Sequence, residues 1–225
     1  MISESKKWLF IHAPKTAGTS LAEALLPYSD DHKIRMFGQH SEENFEVSGP
    51  ATVSKHAGLR SYQTITRKSL DDYLLVGGVR HPFARLLSLY FYPGSWTRPR
   101  FPGARELSLR FPAKFMRIFA RHETPFWDEE RFVRLVADTQ PMSDYFRDTA
   151  GTVRPPDVAI SAANINECAA ILAERIGIPH LSVPHINRSL RPAEIKRLGA
   201  STDLAKFVQE SHAVDYTTFE FSLFE

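Results

Sequence analysis

The chain has 225 residues and a formal net charge of +2, from 28 Lys and Arg against 26 Asp and Glu. At 43% hydrophobic content it can bury a substantial core, and a single domain over 1–225 is expected. A charge balance this near neutrality excludes a bulk polycation, so nucleic-acid binding has no compositional support.

The first predicted element is a strand over 8–12, carried by the apolar run Trp8-Leu9-Phe10-Ile11. A turn holding Pro14 and Gly18 follows, and Thr19 and Ser20 open a helix over 19–26. Short strands are expected near 34–37 and 51–55, and a helix near 61–69. The run Tyr73 to Val79 predicts a strand, and 82–92 a helix with Pro82 suited to its first turn. Tyr92 to Pro112 is rich in Pro, Gly and Arg and reads as irregular. With its continuation to about 127 it is the candidate acceptor-side segment. Helices are expected near 113–121, 128–138 and 164–176, the last stopped by Gly177. A strand near 181–183 and helices near 192–198 and 201–212 complete the chain. Strands alternating with helices predict the α/β class, a mainly parallel β-sheet flanked by helices. Ligands of such folds sit at the carboxyl ends of the strands. There is no internal repeat and no low-complexity tract.

The turn after the first strand has the makings of an anion site. Backbone N–H groups at a helix start are unsatisfied, and the helix dipole adds partial positive charge there. Lys15 adds a full charge, and Thr16, Thr19 and Ser20 add hydroxyl donors. The order is not that of a Walker A loop, because Lys15 precedes Gly18 by three residues rather than following the last glycine. The plainer alternative is an ordinary strand–helix turn with a surface lysine.

The string Pro14-Lys15-Thr16-Ala17-Gly18-Thr19-Ser20 resembles the 5′-phosphosulfate loop of sulfotransferases that use 3′-phosphoadenosine 5′-phosphosulfate (PAPS). Within them it is similar to the branch containing the carbohydrate sulfotransferases. The resemblance implies a P-loop NTPase-like sulfotransferase fold, with these seven residues around the 5′-phosphosulfate. A second segment, Arg80-His81-Pro82-Phe83-Ala84-Arg85-Leu86-Leu87-Ser88-Leu89-Tyr90, resembles the family's 3′-phosphate motif, R-[DN]-P-x-x-R-x-x-S-x-[YF]. By that resemblance Arg80 and Ser88 bind the 3′-phosphate. A guanidinium fork matches phosphate oxygens and stays charged at any working pH. Arg85 matches a family position and reads equally as a helix-surface charge. His81 departs from the family's acidic or amide residue. Val183 to Ser189 resembles the loop that closes over the nucleotide and implies contacts from Asn187, Arg188 and Ser189. Thr139 to Phe146 and Val214 to Phe219 resemble the family's Q-x-x-Y stretch and C-terminal tail.

Moving a sulfuryl group to a hydroxyl calls for a general base, most often histidine or a carboxylate. His56 lies at the end of a predicted strand between the two phosphate motifs, where the family often carries its base. His40 is the second candidate, with Glu42 and Glu43 behind it. His12 reads as structural, His81 as a neighbour of the phosphate site, and His185 as a nucleotide contact or a structural residue. Lys55 reads either as an aid to the sulfonate or as a solvated lysine. Lys15 is expected to stabilise charge on the leaving 5′-phosphate, an effect of about 3 kcal/mol.

The expected donor is PAPS, with 3′-phosphoadenosine 5′-phosphate (PAP) as product and no metal, because neither CxxC nor HExxH occurs. The expected acceptor bears a hydroxyl, on a carbohydrate or glycoconjugate. Arginines from Arg98 to Arg121 suit an anionic glycan or a solvated helix face. The single cysteine, Cys168, excludes an intrachain disulfide and reads as a packed small residue. No apolar run is long enough for a transmembrane helix, and Lys6 and Lys7 precede only four apolar residues, so a cytoplasmic location is expected. Two other readings stand beside this one, a P-loop-like phosphotransferase and a non-catalytic nucleotide-binding module.

Overall fold

The computed structural model describes residues 1–34, 45–91, 127–162, 164–184 and 202–222. In chain order come β1 (Ile2–Ser3), β2 (Trp8–Ile11) and α1 (Gly18–Leu25), then β3 (His32–Ile34), β4 (Glu46–Ser48) and α2 (Leu59–Thr66). They are followed by β5 (Leu74–Gly78), α3 (Pro82–Tyr90), α4 (Glu129–Asp138) and β6 (Val158–Ile160). The last three are α5 (Ile165–Arg175), α6 (Thr202–Ser211) and α7 (Ala213–Thr218). Short 3-10 turns occupy Leu26–Tyr28 and Met142–Phe146.

The strand at Trp8–Ile11 is buried along its whole length, which suits a central position. It pairs antiparallel with β1, placing Ile2 opposite Leu9, and parallel with β5, placing Phe10 opposite Val76. β5 pairs parallel with β6, with Val76 opposite Val158. Side chains alternate across a strand. Trp8 and Phe10 accordingly pack with Leu21, Leu25 and Leu172 on one face. Leu9 and Ile11 pack with Tyr62, Leu75 and Phe146 on the other. A third cluster joins α3, α4 and α6 through Phe83, Leu86, Tyr90, Phe132 and Val208.

Helix boundaries follow local chemistry. Pro82 starts α3, where its missing N–H costs nothing. Asp128 caps α4 by accepting from the Arg131 N–H at 3.1 Å, with Glu129 and Glu130 in the first turn. Past α5, Gly177 takes φ 67°, the left-handed conformation that ends a helix.

The expected α/β class, built on a mainly parallel sheet flanked by helices in a P-loop NTPase-like arrangement, is overturned. The described residues are predominantly helical, with small open sheets. Among the described residues seven α-helices stand against six strands, in one mixed four-stranded sheet and one two-stranded antiparallel sheet. Two expected strands do not form. At 51–55, turn bonds from Gly49 N–H to Thr52 O and from Ala57 N–H to Ser54 O take backbone groups that a ladder needs, and Val53 is exposed. At 181–183 the chain runs without pairing into Pro184, which has no N–H to give. The expectations for 35–37, for 92–126 including the helix at 113–121, and for the helix at 192–198 lie outside the described residues.

Candidate functional site

The segment from His12 to Ala17 leaves the carboxyl end of the central strand and enters α1 at Gly18. Lys15 and Ala17 both take left-handed backbone conformations, at φ 70° and 63°. Such conformations cost non-glycine residues roughly 1–3 kcal/mol each and persist where the surroundings enforce them. Four bonds enforce them here. Thr16 Oγ1 donates to the Ala13 carbonyl at 2.8 Å, and the Ser20 N–H donates to the Ala17 carbonyl at 3.2 Å. Arg85 Nε donates to the Pro14 carbonyl at 3.1 Å, and Arg80 Nη1 donates to the Lys15 carbonyl at 3.3 Å. The Thr16 hydroxyl proton is therefore committed to the loop itself. Gly18 is required by packing, since a Cβ there would lie 1.9 Å from His12 Cδ2. Gly78, at the end of β5, passes so close that a Cβ would lie 2.6 Å from Thr16 Oγ1.

Arg80 follows β5 and precedes α3, which brings its guanidinium to the loop. Burial and then the nearby Arg80 charge push the Lys15 ammonium down to about 8. Burial also lowers Arg80. Two cations crowded into a low-dielectric site favour an anion between them. Ser20 and Ser88 are both buried, Ser88 two turns into α3, while Thr19 and Ala17 are half-buried.

His56 stands between β4 and α2. Its Nδ1 lies 2.9 Å from the His12 carbonyl oxygen, which only accepts, so Nδ1 carries the proton and Nε2 the lone pair. Burial lowers the His56 pKa most, with Lys55 adding to the shift and the His12 carbonyl and Glu46 opposing it. The His12 ring, 4.6 Å from that of His56, is fully buried and titrates well below an ordinary histidine. Lys55 Nζ donates to the Phe45 carbonyl at 2.9 Å, and its backbone N–H to Glu46 at 2.6 Å.

Arg85 is neither a surface charge nor exposed to a ligand. It is 1% exposed and ties the Pro14 carbonyl to the Gln140 carbonyl, the latter at 3.2 Å from Nη1. Sequence reasoning passed over Asp215, a fully buried carboxylate that accepts from the Met142 and Ser143 N–H groups at 2.7 Å each. Its only signal was the tail pattern at Val214 to Phe219. His81 is tied to the C-terminal segment rather than to the loop. Its Nε2 donates to the Ser222 carbonyl at 2.9 Å, and its ring meets Tyr216 and Phe221.

The structure thus gathers Pro14 to Ser20, Arg80 and His56 at one end of the central strands. His40, Glu42, Glu43, His185, Asn187, Arg188 and Ser189 lie outside the described residues. Among the described residues no group of three or more His, Cys, Asp or Glu could hold a metal ion. No described helix is long and apolar enough to cross a membrane.

A family model described as the sulfotransferase family matches residues 1–222. No curated protein and no solved structure matches the chain.

Proposed function

The chain belongs to the sulfotransferase family, and from that premise we propose that it transfers a sulfuryl group from PAPS to an acceptor hydroxyl, on a carbohydrate or glycoconjugate. The observation that carries this reading is the meeting of Lys15 and Arg80, two partly buried cations in hydrogen-bond contact through the Lys15 carbonyl. Such a pair suits an anionic donor and fits poorly with any neutral ligand.

Lys15 and the backbone N–H groups from Thr16 to Thr19 hold the 5′-phosphosulfate end, the Ser20 N–H being spent on the Ala17 carbonyl. Thr16 serves through its backbone, because its hydroxyl proton is spent on Ala13. Pro14, Ala17 and Gly18 shape the loop, and Thr19 and Ser20 line it. Arg80 and Ser88 take the 3′-phosphate. Arg80 spends one donor on the Lys15 carbonyl and keeps the rest of its fork. Asn187, Arg188 and Ser189 complete the nucleotide contacts.

When bound, PAPS supplies an activated sulfuryl group. His56 Nε2 accepts the proton of the acceptor hydroxyl as the hydroxyl oxygen bonds to sulfur. Lys15 balances the charge left on the 5′-phosphate oxygen as its bond to sulfur breaks. The products are a sulfate ester and PAP, and His56 returns its proton to solvent. No metal enters this scheme.

Calorimetric titration with PAP, ADP and ATP tests the reading on wild type and Arg80→Ala. Tight binding of PAP alone, lost in Arg80→Ala, is expected. ATP binding as tightly as PAP, or no binding of either, would sink the proposal.

A further inference from the structure

An open cleft of about 440 Å³ lies beside His56, between the start of α2 and the segment around the Met142–Phe146 turn. Its walls are fixed to one another. The Arg60 N–H donates to the Arg147 carbonyl at 3.1 Å, and Gly58 passes so close to Tyr145 that a Cβ would lie 2.8 Å from its carbonyl oxygen. The far wall is anchored from beneath by Asp215, through Met142 and Ser143, and by Arg85, through Gln140. Arg85 also holds Pro14, so the cleft and the Lys15 loop share one strut.

We propose that this cleft is the acceptor site and that it takes a polyhydroxylated acceptor bearing an anionic group, which Arg60 reads. The inference rests on the sulfuryl-transfer reading above. A volume near 440 Å³ has room for one or two sugar rings. Apart from Gly58, every lining residue carries a polar side-chain group, Ser61, Gln140 and Tyr145 among them. A flat apolar acceptor would strip water from these groups without replacing its hydrogen bonds. A sugar hydroxyl replaces them.

The charge follows from pairing. Arg147 spends Nε and Nη2 on Asp144 Oδ1, at 3.1 and 2.8 Å, and Nη1 on the Gly151 carbonyl, at 2.7 Å. That pair is neutral as a unit and its fork is occupied. Arg60 differs, giving only Nε, to the Asp148 carbonyl at 3.1 Å. Among the described residues nothing takes its two terminal nitrogens, which form the planar fork a carboxylate or sulfate fits. Arg60 is therefore the cleft's unbalanced charge, four residues from His56.

Two probes differing by one group test this, 4-methylumbelliferyl β-D-glucuronide and 4-methylumbelliferyl β-D-glucoside. Each is offered with PAPS to wild type, Arg60→Gln and Arg60→Lys, and PAP affinity is measured alongside. Wild type should turn over the glucuronide at least tenfold better in kcat/KM. Arg60→Gln should erase that preference while leaving the glucoside rate and PAP affinity unchanged, and Arg60→Lys should restore part of it. Equal turnover of both probes by wild type, an equal loss on both in Arg60→Gln, or turnover of neither by a protein that binds PAP would overturn the acceptor proposal and leave the donor reading standing. Failure of wild type to bind PAP would overturn both.

Discussion

The Nδ1 atom of His56 lies 2.9 Å from the carbonyl oxygen of His12, and this bond fixes which ring nitrogen is free to take a proton. Because burial also lowers the ring's pKa, His56 is neutral across the ordinary physiological range. The acidic limb of kcat/KM against pH should therefore fall below the ordinary histidine value of 6.5, and a basic limb should appear near 8 as Lys15 of the free enzyme loses its proton. His56→Asn, whose amide can keep donating to the His12 carbonyl, should lose roughly 10²- to 10⁴-fold in turnover with PAP affinity retained. Turnover within a factor of three of wild type would remove His56 from the reaction.

His12 and His56 both titrate below 6.5 in the folded chain, with burial the leading cause. The unfolded chain then binds more protons below that value, so stability rises with pH there and is lost as pH falls through 6.5. Urea midpoints at pH 5.5 should lie below those at pH 7.5. His12 Nδ1 is buried with no partner, so His12→Phe keeps a ring of similar shape and should flatten this dependence. An unchanged slope in that variant would assign the effect to other groups.

Lys15 titrates near 8 in the unliganded protein. An anion beside it raises that value, so binding should draw in a proton. Calorimetry of PAP at pH 8, in buffers of different ionisation enthalpy, should report uptake of about half a proton. Lys15→Ala should abolish the uptake and cost about 3 kcal/mol at the transition state. Proton-neutral binding by wild type would place Lys15 away from the ligand.

Replacing Arg85 by Met leaves the Pro14 and Gln140 carbonyls without their donor, at about 1–3 kcal/mol for each buried group. The urea midpoint should fall, and PAP affinity should fall with it as Pro14 is released. Arg85→Lys, with one ammonium in place of the fork, should recover one of the two bonds. A Met variant with wild-type affinity for PAP would show that the loop holds its shape unaided.

Gly18→Ala places a methyl group 1.9 Å from the His12 ring. The ring must swing away, and its contact with the His56 ring goes with it. Loss of turnover should come with a shifted His56 resonance in NMR titration. Full activity in this variant would show that the ring is free to move.

The Lys15 loop was legible because its cues are local. An apolar run, a Pro- and Gly-bearing turn and a helix-forming segment sit side by side in sequence, and α1 and α3 start within a residue of where those cues put them. The sheet was not legible in the same way. β1 has two residues and β6 has three, and Val158-Ala159-Ile160 is too short a run to announce itself. Pairing partners supply what such segments lack in propensity, and the partners are distant in sequence. The roles of Arg85 and Asp215 were hidden for a related reason. Both act on backbone groups far along the chain, and nothing in a side chain's identity says which carbonyl or N–H it will meet. His81 looked like part of a phosphate site from its neighbours in sequence, yet its ring is spent on the tail.

The four residues of β2 send alternate side chains into two different halves of the core, and the loop begins one residue later. A slip of a single residue would exchange those halves and also carry Lys15 about 3.3 Å along the strand axis. Insertions and deletions inside Trp8–Ile11 are therefore lesions of the site, though no residue there touches a ligand. The length of the central strand acts as the ruler for the lysine, and it is kept true by Trp8 and Phe10 on one side and Leu9 and Ile11 on the other.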